Sequence, residues 1–279
     1  METTKALVLG GGGVTGIAWE LGVIASLAGE GIDLTDADLI VGTSAGAAVA
    51  AQITSASLDE LVGAQLAESQ ELAAELDLDL LAEIFWLLSE GPGADDDRRA
   101  QVGALALGAR TVAEPVRRAV IAARLPSHQW PSHPVVVTAV DADSGALCTF
   151  DAFSGVSLVD AVAASCAVPG VWPPVSVGGR RYIDGGVRSV TNADLASGCG
   201  RVLVLAPVPV PATLTPGLER EVDGLRGQGS TVMMVSADDA ALAGFGDNLL
   251  DPSRRGPALE EGRRQGVAAV GAIRELWAG

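Results

Sequence analysis

A chain of 279 residues with 48% apolar side chains is long enough to bury one large α/β core or two small ones. Its net charge of −17 argues against nucleic-acid binding, because neutralising phosphates needs clustered Lys and Arg, and against strong electrostatic docking on anionic lipid. Cys148, Cys166 and Cys199 form no CxxC pair, which points to reduced thiols and a cytoplasmic setting.

The first residues, METTK, carry no basic or apolar leader, and no run of 18 apolar residues free of Gly or Pro follows. Neither a signal peptide nor a membrane-spanning helix is therefore expected. KALVLG (5–10) reads as a short buried strand, GGGVTG as a loop, and IAWELGVIASLAGEG as a helix stopped by Gly29 and Gly31. LIVG (39–42) is a second buried strand, residues 45–55 a second helix, and 57–90 continue helically. SEGPGADDD (89–97) is a breaker cluster ending in an acidic run, and a helical region over 98–124 is kinked or interrupted at Pro115.

PSHQWPSHP (126–134) reads as a loop, followed by a hairpin turning around Asp143-Ser144-Gly145. A short helix (157–168) ends at Pro169-Gly170, and a second hairpin has Gly178-Gly179 at its tip. Two more buried strands (201–208 and 230–237) flank a Pro-rich surface crossing, and a last helix covers roughly 257–277. Alternating strands and helices predict an α/β fold, a mostly parallel central sheet with helices on both faces, in a single domain over 1–279.

Three stretches carry candidate chemistry. Gly11-x-Gly13-x-x-Gly16 follows a strand and opens a helix, as a dinucleotide fingerprint would. That reading needs an acidic residue at the end of the next strand, but Asp33, Asp36 and Asp38 all precede LIVG. Glycines at a helix start have other uses. They can aim N–H groups at one spot to hold an oxyanion, or simply form a tight turn.

The second stretch is Gly42-Thr43-Ser44-Ala45-Gly46, a G-x-S-x-G turn between strand and helix. Such a turn holds its serine exposed in a strained conformation, with glycines relieving crowding on either side. The third is Asp184, at a strand exit before Gly185-Gly186. It is either a base for Ser44 or an Asp-Gly turn capping a hairpin. His128 and His133 share the Pro-flanked loop 126–134 and follow no strand, so a Ser-His-Asp triad in α/β-hydrolase order has no natural member here. The apolar helical stretch 76–90, with Phe85 and Trp86, reads as core rather than as an acyl groove, and 89–97 as a solvated acidic loop rather than a lid.

GGGGVTG (10–16), GTSAG (42–46) and DGG (184–186), in this order and with DAVAASCAVPGVWPPV (160–175) before the aspartate, resemble the patatin-like phospholipase family. The resemblance runs from residue 5 to about 206 and implies a patatin-like three-layer fold and a Ser-Asp dyad without histidine. It implies a lipid acyl hydrolase. Ser44 attacks the ester carbonyl, Asp184 takes and returns the proton, and the N–H groups of Gly11, Gly12 and Gly13 stabilise the oxyanion. No metal or organic cofactor is implied; the expected partner is a lipid or fatty-acyl ester, with transient membrane-surface contact. The alternatives are a non-catalytic patatin-fold module that binds lipid or protein, and a nucleotide-binding protein using GxGxxG. The chain departs from the family at Thr15, where the first loop usually carries Arg or Lys.

Overall fold

The computed structural model describes residues 4–68, 71, 77–208 and 216–278. Among these, the elements run β1 (Lys5–Leu9), α1 (Gly13–Gly29), β2 (Leu39–Gly42), α2 (Ala45–Ile53), α3 (Leu58–Leu66), α4 (Leu78–Glu90), α5 (Asp95–Gly108) and α6 (Glu114–Arg124). They continue β3 (Val135–Asp141), β4 (Leu147–Phe150), α7 (Leu158–Ser165), β5 (Val175–Val177), β6 (Arg180–Asp184), β7 (Arg201–Ala206), α8 (Pro216–Gly227), β8 (Thr231–Ser236), α9 (Asp239–Phe245) and α10 (Arg255–Ala278).

Leu7 and Leu9 of β1 pack into one apolar cluster, Ala6 and Val8 into another; Leu203 and Leu205 of β7 separate from Val202 and Val204 in the same way. Side chains alternate across a strand, so these strands are buried on both faces and need helices on both. The larger cluster joins one face of the sheet to α1, α2, α7 and α10. On the opposite face α8 covers β1 and β7, while α4 and α5 cover Val140 of β3 and Ile183 of β6. The result is the three-layer α/β arrangement expected.

The sheet order is β5-β6-β3-β2-β1-β7-β8, with β4 also on β3. The run β3-β2-β1-β7-β8 is parallel, and β4, β5 and β6 join antiparallel. One detail of register positions the site. Val137 pairs with both Gly42 of β2 and Phe150 of β4, so β2 and β4 lie on opposite edges of β3. Ala139 pairs with both Cys148 of β4 and Asp184 of β6, so β6 lies opposite β4 as well. Strands β2 and β6 therefore share one edge of β3, running towards each other, and their C-terminal ends stop at Gly42 and Asp184, opposite residues two apart.

Several expectations need correction. Residues 57–90 do not form one helical run: α3 ends at Leu66, with Ala67 extended, and α4 starts at Leu78 after the Asp77 cap. The part of that expectation over 69–70 and 72–76 lies outside the described residues, as does most of the Pro-rich crossing (209–215). Of the interruption or kink expected at Pro115, the structure has the interruption: α5 ends at Gly108, and Pro115 sits in the first turn of α6, where its missing N–H is not needed. The acidic run Asp95-Asp96-Asp97 is not a loop but the first turn of α5, where carboxylates favour the positive helix end. Phe85 and Trp86 are not core: they are 48% and 49% exposed, because α4 turns Ile84 and Leu87 inward.

Candidate active site

Only Thr43 and Ser44 separate β2 from α2. So abrupt a reversal puts Ser44 at φ 54°, ψ −112°, a conformation that a residue with a Cβ adopts at a cost of about 1–3 kcal/mol. The surroundings hold it there. The Ser44 N–H donates to Ser165 Oγ at 2.8 Å, and the Ser44 carbonyl accepts from Cys166 Sγ at 3.2 Å. The last turn of α7 thus clamps both sides of the serine, and Ser44 itself is only 8% exposed.

Ser44 Oγ donates to Asp184 Oδ2 at 2.7 Å. The other carboxylate oxygen, Oδ1, accepts from the Gly186 N–H at 2.7 Å, and the Asp184 N–H donates to the Ala167 carbonyl at 3.0 Å. Asp184 is 4% exposed. Burial pushes its pKa up to about 7, against the opposing pull of the Ser44 and Gly186 hydrogen bonds. The sequence suggests an ordinary, weakly basic carboxylate; the structure gives one with a proton affinity near that of imidazole.

Below the pair runs a buried polar network that the sequence reading did not single out. Asn192, at φ 50°, donates through Nδ2 to the Ser189 carbonyl (2.8 Å) and to Thr43 Oγ1 (3.1 Å), and Thr43 Oγ1 lies 2.9 Å from Thr138 Oγ1. It ties the turn after β2, the middle of β3 and the segment after β6 into one unit. Ser165 and Cys166 fall in DAVAASCAVPGVWPPV (160–175), but nothing in SVTNADL marks Asn192.

The glycine-rich loop lies against the serine: a Cβ on Gly11 would sit 3.5 Å from Ser44 Cβ. The Gly11 N–H donates to the Val190 carbonyl at 2.7 Å. It is spent on the fold, so the expected three-donor set loses its first member in this conformation. The N–H groups of Gly12 and Gly13 have no acceptor among the described residues, and Gly13, at φ 62°, lines the cavity that contains Ser44. Thr15, at the position of the expected basic residue, is fully buried and fastens the loop: its N–H donates to the Leu249 carbonyl at 3.2 Å and its Oγ1 to the Gly12 carbonyl at 3.2 Å. The cavity itself is small, about 20 Å³, close to the room one water needs.

His128 and His133 precede β3 at its N-terminal end, whereas Ser44 follows the C-terminal end of the parallel neighbour β2. Gly42 is level with Val137, so His133, two residues before β3, and Ser44, two residues beyond β2, are six strand positions apart, on the order of 20 Å at ~3.3 Å per residue. His128 is exposed, with Nε2 2.9 Å from the Ala122 carbonyl, and neither histidine lines the Ser44 cavity. Among the described residues no three His, Cys, Asp or Glu side chains are grouped so as to hold a metal ion, and no helix is long and apolar enough to cross a membrane.

A family model described as patatin-like phospholipase matches residues 7–197, well over half of the chain. The chain belongs to the patatin-like phospholipase family. The matched span of this patatin-like chain holds the glycine loop, Ser44, Ser165, Asp184 and Asn192 together. Among solved structures, the chain is similar to VipD from Legionella pneumophila at 12% identity and a TM-score of 0.48, covering 98% of this chain and 67% of VipD. It is also similar to the type III effector protein ExoU at 16% identity and a TM-score of 0.43, covering 98% of this chain and 54% of ExoU. The patatin-like chain thus spans about two thirds of the one and about half of the other. No curated protein matches by sequence. Membership of a phospholipase family supports a lipid-hydrolase function.

Proposed function

We propose that the chain is a serine acyl hydrolase that cleaves carboxylic ester bonds of lipids through Ser44 and Asp184. The observation that carries this reading is the 2.7 Å hydrogen bond from a strained serine to a buried carboxylate. Ser44 Oγ attacks the ester carbonyl while its proton passes to Asp184 Oδ2. The negative charge that forms on the carbonyl oxygen is met by the free N–H groups of Gly12 and Gly13 at the start of α1, with the helix dipole behind them. Collapse of the intermediate expels the alcohol, which recovers the proton from Asp184. Water then enters and attacks the acyl-serine while losing a proton to the same carboxylate, and Ser44 Oγ leaves with that proton as the fatty acid is released. The raised proton affinity of Asp184 suits both directions of transfer near neutral pH.

Leu78, Phe85 and Trp86 of α4 are exposed on one surface helix. This apolar set supports transient contact with a lipid surface, which net charge alone does not favour.

The direct test is labelling with a fluorophosphonate probe. The wild type is expected to label on one serine and Ser44→Ala not at all; labelling of the folded Ser44→Ala protein would assign the nucleophile elsewhere. Replacing His128 and His133 together by Ala is expected to leave ester hydrolysis within a few-fold of wild type, measured on a soluble ester. A triad histidine would lower it by about 10⁴-fold or more, so a loss of that size in the folded double variant would overturn the dyad.

A further inference from the structure

Two arginines stand beside Ser44 in a chain whose net charge is −17. Arg117 and Arg124 project from α6 and line the same cavity as Ser44. Arg117 is 6% exposed, and its guanidinium carbon lies 3.8 Å from the centre of the Trp172 ring, a stacked arrangement that fixes its plane. Among the described residues, the carboxylate of Glu71 answers both. Glu71 Oε2 accepts from Arg117 Nη1 at 3.2 Å, and Glu71 Oε1 accepts from Arg124 Nε at 3.0 Å and Nη2 at 2.5 Å.

Among the described residues, two guanidinium groups stand against one carboxylate, a surplus of positive charge where burial makes imbalance costly. Arg255 adds to it, being close enough to act on both Glu71 and Arg124. Burial by itself would raise the pKa of Glu71, but Arg124 and Arg117 bring it below the ordinary carboxylate value. One donor also remains unused: Arg117 Nε is buried and has no acceptor among the described residues, a rare condition for a buried N–H. Planar forked donors with charge to spare fit a phosphate, which offers more oxygens than one carboxylate.

We propose that Arg117 and Arg124 form an anion subsite of the Ser44 centre, that the Glu71 carboxylate fills it when no substrate is bound, and that a phosphate carried by the substrate near its scissile ester displaces Glu71. The subsite favours phosphate-bearing esters over neutral ones, and Glu71 weakens their binding by competing for the same donors. The chemistry rests on the hydrolase reading above; the binding does not.

Octyl phosphate is titrated calorimetrically into Ser44→Ala protein, which separates binding from turnover. Binding is expected to tighten by about tenfold or more when Glu71→Gln is added, and to weaken by about tenfold or more with Arg124→Gln. Arg124 is chosen because Arg117 stacks on Trp172 and its loss endangers the fold. Inorganic phosphate is titrated alongside. If it binds as tightly as octyl phosphate, the arginines hold a free anion and the lipid assignment fails. No binding of octyl phosphate, or affinities within about threefold across the folded variants, overturns the proposal.

With Ser44 intact, the ratio of kcat/KM for an acylglycerol phosphate over the matching acylglycerol should rise in Glu71→Gln and fall in Arg124→Gln. Hydrolysis of neither ester, with the binding pattern intact, would sink the hydrolase reading and leave the subsite standing. Hydrolysis of both with an unchanged ratio would sink the subsite and leave the hydrolase reading.

Discussion

Asp184→Asn is expected to lose ester hydrolysis by about 10²- to 10⁴-fold and to gain stability at pH 8. The two effects have one cause. The amide is nearly the same size and keeps an oxygen for the Gly186 N–H, but it cannot take the proton of Ser44. It also removes a carboxylate that burial makes costly to ionise. The folded pKa of Asp184 is pushed up to about 7, against about 3.9 in an unfolded chain. Between those values the folded state holds the extra proton, so this group's contribution to stability is fully present below about pH 4. It declines as pH rises through the window and is lost above about pH 7. The advantage of the amide should therefore be absent at pH 4 and full at pH 8, where it is worth on the order of a few kcal/mol. Thermal melts at the two pH values check the sign, and a variant no more stable at pH 8 than the wild type would contradict the burial argument. The same value sets the activity profile: kcat/KM should rise with a single limb near pH 7. That limb coincides with where a histidine would titrate, so the double-histidine variant, and not the pH profile, separates dyad from triad.

Gly46→Ala is expected to destabilise the fold by about 3 kcal/mol or more. A Cβ at this position would lie 2.1 Å from the Leu9 carbonyl oxygen and 2.3 Å from its carbon, and both atoms belong to the backbone of β1. They cannot swing aside as a side chain would. The Gly46 N–H also donates to the Gly10 carbonyl at 2.9 Å, so pushing α2 away from β1 breaks the contact between the serine turn and the glycine loop. Urea denaturation measures the loss, and labelling of Ser44 should fall in whatever fraction still folds. A change below about 1 kcal/mol would mean that α2 does not pack on β1 this closely. Against α2, then, the second glycine of G-x-S-x-G is required for packing as much as for the turn.

Much of this was legible in the chain because it is local. LIVG-TS-AGAAVAA compresses a buried strand, a two-residue turn and a small-residue helix into adjacent positions, and the strain at Ser44 follows from that brevity. LVLGGGG before an apolar helix is equally local, as are both hairpins. Expectations failed where the outcome depends on what lies across the fold. The glycine run does not tell that the Gly11 N–H meets Val190, about 180 residues further on. Phe85 and Trp86 look like core by hydropathy, and only the packing of Ile84 and Leu87 turns them outward. Nothing near Arg117 and Arg124 in the chain reveals that α6 brings them to the serine's cavity.

The sequence by itself determined a doubly covered, mostly parallel sheet and a strained serine raised between β2 and α2, because strand burial, helix spacing and a two-residue reversal are consequences of neighbouring residues. The tertiary structure decided that Asp184 is the group Ser44 meets. Strand β6 runs against the parallel strands, so its C-terminal end would ordinarily open on the far side of the sheet; it reaches Ser44 because it shares one edge of β3 with β2 and stops two residues short of it. The structure also decided the chemistry of that carboxylate. Aspartate in a sequence is an acid of ordinary strength, and only the low-dielectric enclosure formed by distant segments gives it a proton affinity near that of imidazole.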